Sequence, residues 1–92
     1  MRTNHIILTD AIAELNDRAP HVIGSIPLWC LTSRSFGFEV TVHLPDEYVG
    51  LPGTSTAGDV TWMILEAREA VDVINKALDQ LAAMKTLLMV AA

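Results

Sequence analysis

From Val60 to Ala91 the chain contains neither glycine nor proline, and its apolar residues recur every three or four positions. Val60, Met63, Ile64, Ala67, Val71, Ile74, Leu78, Leu81, Met84 and Leu88 form one stripe, opposite Glu66, Glu69, Asp72, Lys76, Asp79 and Gln80. That period predicts a long amphipathic helix. Phe36 to Leu44 follows a different period: Phe36, Phe38, Val40, Val42 and Leu44 alternate with Gly37, Glu39, Thr41 and His43. Such alternation marks an antiparallel strand with one buried face. The preceding segment, Val22 to Thr32, is apolar on both sides and contains Pro27, which suits an edge strand or a strand that begins there. Ser33-Arg34-Ser35 supplies a turn between the two. Upstream, Leu8, Ile12, Leu15 and Ala19 share one helical face over Thr9 to Ala19, with Thr9 or Asp10 as N-cap and Pro20 as the stop. The His5–Leu8 run fits either a short strand or a turn. Pro45 to Asp59, rich in Pro, Gly, Ser and Thr, reads as a long loop that presents Tyr48, Val49 and Leu51. Together these elements make an α+β fold of order α-β-β-α. A short N-terminal helix, an antiparallel β-hairpin, a long loop and a long amphipathic C-terminal helix form a single domain spanning residues 1–92.

The length of the last helix bears on assembly. Unbroken, its residues would extend about 48 Å, whereas a globule of this chain length is about 30 Å across. The excess predicts either a break near Ala82–Ala83 or packing against another chain. A homodimer is the expected outcome, held by Leu81, Met84 and Leu88.

Composition strengthens the case for an interaction surface. Apolar residues make up 51% of the chain and charged residues 18%, which is more apolar than a lone domain of 92 residues needs. The net charge is −5, and the six basic residues, Arg2, Arg18, Arg34, Arg68, Lys76 and Lys85, are dispersed along the sequence. Nucleic-acid binding calls for clustered cations that displace counterions from phosphates, so nucleic acid is not an expected partner. The N-terminus lacks the long apolar segment of a signal peptide, and no apolar run approaches the length of a membrane span. The single cysteine, Cys30, fits a reducing compartment, so a cytoplasmic chain with no membrane partner is expected.

Candidate chemistry is sparse. Cys30, His43 and Asp46 could form a nucleophile, base and orienter if the hairpin brings them together, which would make a small cysteine-dependent enzyme. Against that, Cys30 also reads as a small hydrophobe and His43 as an exposed strand residue. His5, His21 and His43 match no metal-ligand spacing, and Gly50, Gly53 and Gly58 match no phosphate-binding fingerprint. Neither a catalytic group, a metal nor a cofactor is expected. Trp62, on the charged side of the predicted helix, reads either as an interface anchor, because tryptophan is enriched in binding hot spots, or as a residue covered by the hairpin or the first helix. Glu66, Glu69 and Asp72 line one face of that helix, suited to a basic patch on a partner. Tyr48, presented on the long loop, is a further candidate contact.

FGFEVTV, LPG, AGD and EAREAV, between Phe36 and Val71, resemble the HicB antitoxin family in its hairpin, its turns and its Ala/Glu-rich helix. The resemblance implies a small antitoxin that binds a cognate toxin. The EYVG insertion and the N-terminal helix depart from that pattern. The leading expectation is a non-enzymatic protein-interaction module, a regulator or inhibitor that works by binding another protein through Trp62, Tyr48, Glu66, Glu69 and Asp72. Compact acidic chains without catalytic motifs are common among bacterial and phage accessory proteins, including inhibitors of host defence systems.

Overall fold

The computed structural model describes the backbone of residues 2–20 and 28–91, with side chains over 8–20 and 28–90. Its elements are α1 (Arg2–Arg18), β1 (Trp29–Arg34), β2 (Gly37–Leu44), a 3-10 helix (Asp46–Tyr48), β3 (Ser55–Ala57), β4 (Val60–Ala67) and α2 (Ala70–Ala91). The strands form one antiparallel sheet in the order β1-β2-β4-β3. The α+β class and the expected helix, hairpin and C-terminal helix are all present. The first half of the expected leading strand, Val22 to Pro27, and His21 lie outside the described residues.

Several segments differ from the sequence reading. The long helix starts at Ala70, not Val60, and the eight residues before it form strand β4. Those residues, VTWMILEA, hold a continuous apolar run, which periodicity alone cannot divide between helix and strand. Their β-branched and aromatic content suits a pleated surface, and β2 is there to pair with them. The expected loop also contains structure: a 3-10 turn, and a hairpin of β3 and β4 closed at Gly58, whose φ of 59° suits glycine. At 22 residues, α2 is about 33 Å long, inside the molecule's longest dimension of 43 Å. The overshoot that argued for a second chain is therefore removed.

The first helix is longer than expected and takes in the His5–Leu8 run. Thr9 and Asp10 consequently sit mid-helix and do not cap it. Its C-terminus is where Pro20 places it, with the Ala19 N–H donating to the Leu15 carbonyl at 2.8 Å. The hairpin turn falls at Ser35-Phe36, which leaves Phe36 exposed in the turn and not on the buried face. The rest of the alternation in β2 is as read: Val40, Val42 and Leu44 point into the core.

One hydrophobic core joins Ala11, Leu15 and Ala19 of α1 to Val40, Val42, Leu44 and Met63 of the sheet and to the inward stripe of α2. Helix α2 lies on β2 and β4, and α1 packs chiefly on α2. Trp29 Nε1 donates to Asn16 Oδ1 at 2.8 Å, tying β1 to α1 on that same side. Both helices are thus on one face of the sheet. Among the described residues, no helix covers the other.

Candidate functional site

Strand pleating decides what the uncovered face presents. Val42 stands opposite Met63 with both side chains inward, so the neighbouring pairs Thr41–Ile64 and His43–Trp62 point outward. Cys30, opposite Thr41 on β1, joins them. Ile64 is 48% exposed, and Trp62 is half-buried. Neither belongs to the core cluster nor packs against it. The result is a strip of Trp62, Ile64, Thr41, His43 and Cys30 across three strands.

Charge borders one end of the strip. Glu39 and Glu66 are directly opposed on β2 and β4, an arrangement that repels. Arg34 answers it, donating from Nε and Nη2 to the two carboxylate oxygens of Glu39 at 3.3 and 3.2 Å. That hydrogen bond and the charge of Glu39 hold the Arg34 guanidinium above its ordinary pKa, with a smaller contribution from Glu66. Lys76 Nζ donates to the Glu66 carbonyl at 2.8 Å and ties the end of β4 to α2. His43 Nδ1, at the middle of the strip, is enclosed and has no hydrogen-bond partner among the described residues.

The residues singled out by sequence are distributed differently from the expectation. Trp62 and Glu66 share a surface, but it is the outer face of a strand and not a helix flank. Glu69 lies in the bend between β4 and α2, and Asp72 in the first turn of α2, so the three acids form no helical row. Tyr48 is buried. Burial, then the charge of Glu47, raises the pKa of its phenol above the ordinary value. Leu81 and Met84 are buried in the chain's own core, and Leu88 packs against that core. The exposed apolar residues at that end of α2 are Leu87, Met89 and Val90.

Cys30 and His43 do share the open face, but as diagonal neighbours across β1 and β2, and no hydrogen bond joins them among the described residues. Asp46 is exposed on the 3-10 helix. Among the described residues no group of three or more His, Cys, Asp or Glu is placed to hold a metal ion, and no helix is long and apolar enough to cross a membrane. Folding brings Arg34 near Arg68, through the close approach of Gly37 to Arg68, and Arg18 near Lys85. Neither pair makes a basic stripe.

Sequence reasoning missed Ile64, Thr41 and His43 as neighbours of Trp62. The signal was available in the AGD turn, since a hairpin closing at Gly58 would have put VTWMIL in period two. In the HicB-like reading the Ala/Glu-rich segment is helical. Here Glu66 and Ala67 finish β4 and only Ala70 onward is helix. No protein family, curated protein or solved structure matches the chain.

Proposed function

We propose that this chain is a small protein-binding module, a regulator or inhibitor, whose contact surface is the open face of its sheet. The observation that carries the reading is the placement of Ile64 and Trp62. Two large apolar side chains stand together outside the core, on a face that no described helix covers. Exposed apolar groups of this kind mark interaction sites, and tryptophan is enriched in binding hot spots. The pleated strip offers a flat, stiff platform, and the Arg34–Glu39–Glu66 group gives it a polar rim of the kind that fixes orientation. With a net charge of −5, the chain suits a partner that brings an apolar patch with a basic border.

Site-specific photo-crosslinking in cells that express the protein tests this reading. A photoreactive residue at position 64 is expected to give one discrete protein adduct, and the same residue at Asp79, exposed on α2, is not. Trp62→Ala is expected to abolish the adduct while leaving the folded state intact. Adducts at 64 no more discrete than those at 79 would overturn the reading. Light scattering on wild type and Ile64→Asp identifies the occupant further. A dimer that Ile64→Asp dissociates would mean the face meets a second copy of the chain.

A further inference from the structure

At the far end of the molecule a groove of about 290 Å³ opens between the end of α1, the 3-10 helix and the last turns of α2. Leu81, Ala82, Met89 and the ring of Tyr48 make it apolar, and Arg18 and Lys85 line it as well. No carboxylate is among its lining residues, although the chain has 11 acidic residues to six basic ones. We propose that this groove binds an amphipathic carboxylate, an apolar chain that ends in a carboxylate group.

Two cationic side chains at the groove point to that chemistry. Arg18 binds Glu14 through Nε, at 2.7 Å from Oε2, and its two terminal nitrogens have no partner among the described residues. Those nitrogens form the fork that matches a carboxylate. The Lys85 ammonium likewise has no ion pair among the described residues. Arginine and lysine side chains have no acceptor to offer. The ligand must therefore bring acceptors and negative charge, while Leu81, Ala82 and Met89 take its apolar part. The pairing of Arg18 with Glu14 holds the guanidinium at the groove before any ligand arrives, which lowers the ordering cost of binding.

The proposal is independent of the sheet face, and a titration with decanoate below its micelle-forming concentration tests it, read by amide NMR shifts and by calorimetry. Decanoate is expected to shift the resonances of the groove residues, and acetate is not. Decanol, with the same chain and no charge, is expected to bind roughly tenfold more weakly or worse, the worth of a charge-assisted hydrogen bond. The double variant Arg18→Gln/Lys85→Gln is expected to lose decanoate binding by a similar factor and to retain its amide spectrum, because both side chains are exposed. Ile64→Asp is expected to bind decanoate as wild type does. No shift at groove residues, decanol binding as tightly as decanoate, or a double variant that binds like wild type would each overturn the proposal.

Discussion

The two faces of the sheet are built from the same strands and put to different use. On the covered face Val40, Val42, Leu44 and Met63 are closed off by α2, with α1 behind it. On the open face Thr41, His43, Trp62 and Ile64 alternate with them residue by residue. Pleating guarantees that each strand has two faces but does not dictate that both be apolar. A sheet covered on one side ordinarily turns polar residues to water. The departure at Trp62 and Ile64 is the feature that the fold does not require, and so the feature to test.

Met63 and Ile64 make the sharpest comparison, because they are adjacent on one strand. Met63 is 1% exposed and Ile64 48%. Met63→Ala is expected to cost about 3 kcal/mol of folding stability, since the core relaxes only partly around a lost side chain. Ile64→Ala is expected to cost under about 1 kcal/mol. Urea unfolding of the two variants measures the difference. Equal losses would mean the open face is a second structural face, and would remove the reason for assigning it to a partner.

Gly37 is where the two faces share one constraint. Its φ is +143°, and a Cβ there would lie 2.5 Å from the Ala67 carbonyl oxygen and 2.6 Å from the Arg68 Cα. Both obstacles are backbone, at the point where β4 leaves the sheet for α2. Gly37→Ala is expected to cost about 2 to 3 kcal/mol through strain and crowding together, lowering the urea midpoint. If the end of β4 shifts away instead, Ile64 and Trp62 move relative to β2, and partner binding falls while stability changes little.

The covered face was far more legible in the sequence than the open one. Strict alternation from Phe38 to Leu44, the α1 stripe through Leu15 and Ala19, and the α2 stripe from Ile74 through Met84 all name core residues correctly, because burial selects for period. The β4 segment was not legible in the same way. Both of its faces are apolar around Met63, so alternation is erased, and Val60, Met63, Ile64 and Ala67 then fall by chance into helical register. With only Arg68-Glu69 between strand and helix, no glycine or proline marks the change. The apolar open face that makes β4 a candidate site is thus also what hid its conformation. Tyr48 misled for another reason: a residue in an irregular segment has no period to reveal that its side chain turns inward.

The two tryptophans report on the two sides separately. Trp29 stands opposite Val42 on the covered side and donates to Asn16, while Trp62 stands opposite His43 on the open side. Trp29→Phe is expected to cost about 1 kcal/mol through loss of that hydrogen bond. Trp62→Phe is expected to stay within about 0.5 kcal/mol of wild type, as substitutions away from the core do. In the resulting single-tryptophan proteins, partner binding is expected to change the fluorescence of Trp62 and leave that of Trp29 unaltered. A response from Trp29 with silence from Trp62 would move the contact to the helical side.

The smallest expected effect is a pH dependence that belongs to the covered side alone. Tyr48 is the chain's single tyrosine, and burial, followed by the negative charge of Glu47, raises its phenol above the ordinary 10.0. The folded state therefore holds this proton more tightly than the unfolded chain does. Below about pH 10 both states are protonated and the full stability is present. As pH rises from there through the folded-state value, the unfolded chain releases its proton first and stability is lost. The measurement is a difference: urea midpoints of wild type and Tyr48→Phe, each at neutral and alkaline pH. Tyr48→Phe is expected to lose less on going alkaline, and the tyrosinate absorbance of wild type is expected to appear at higher pH than in the unfolded chain. Ile64→Asp, altered only on the open face, is expected to keep the wild-type alkaline loss. If Tyr48→Phe loses as much as wild type, the phenol is not shielded as its burial implies. The side beneath the helices would then be less closed, and the contrast between the two faces weaker, than the packing indicates.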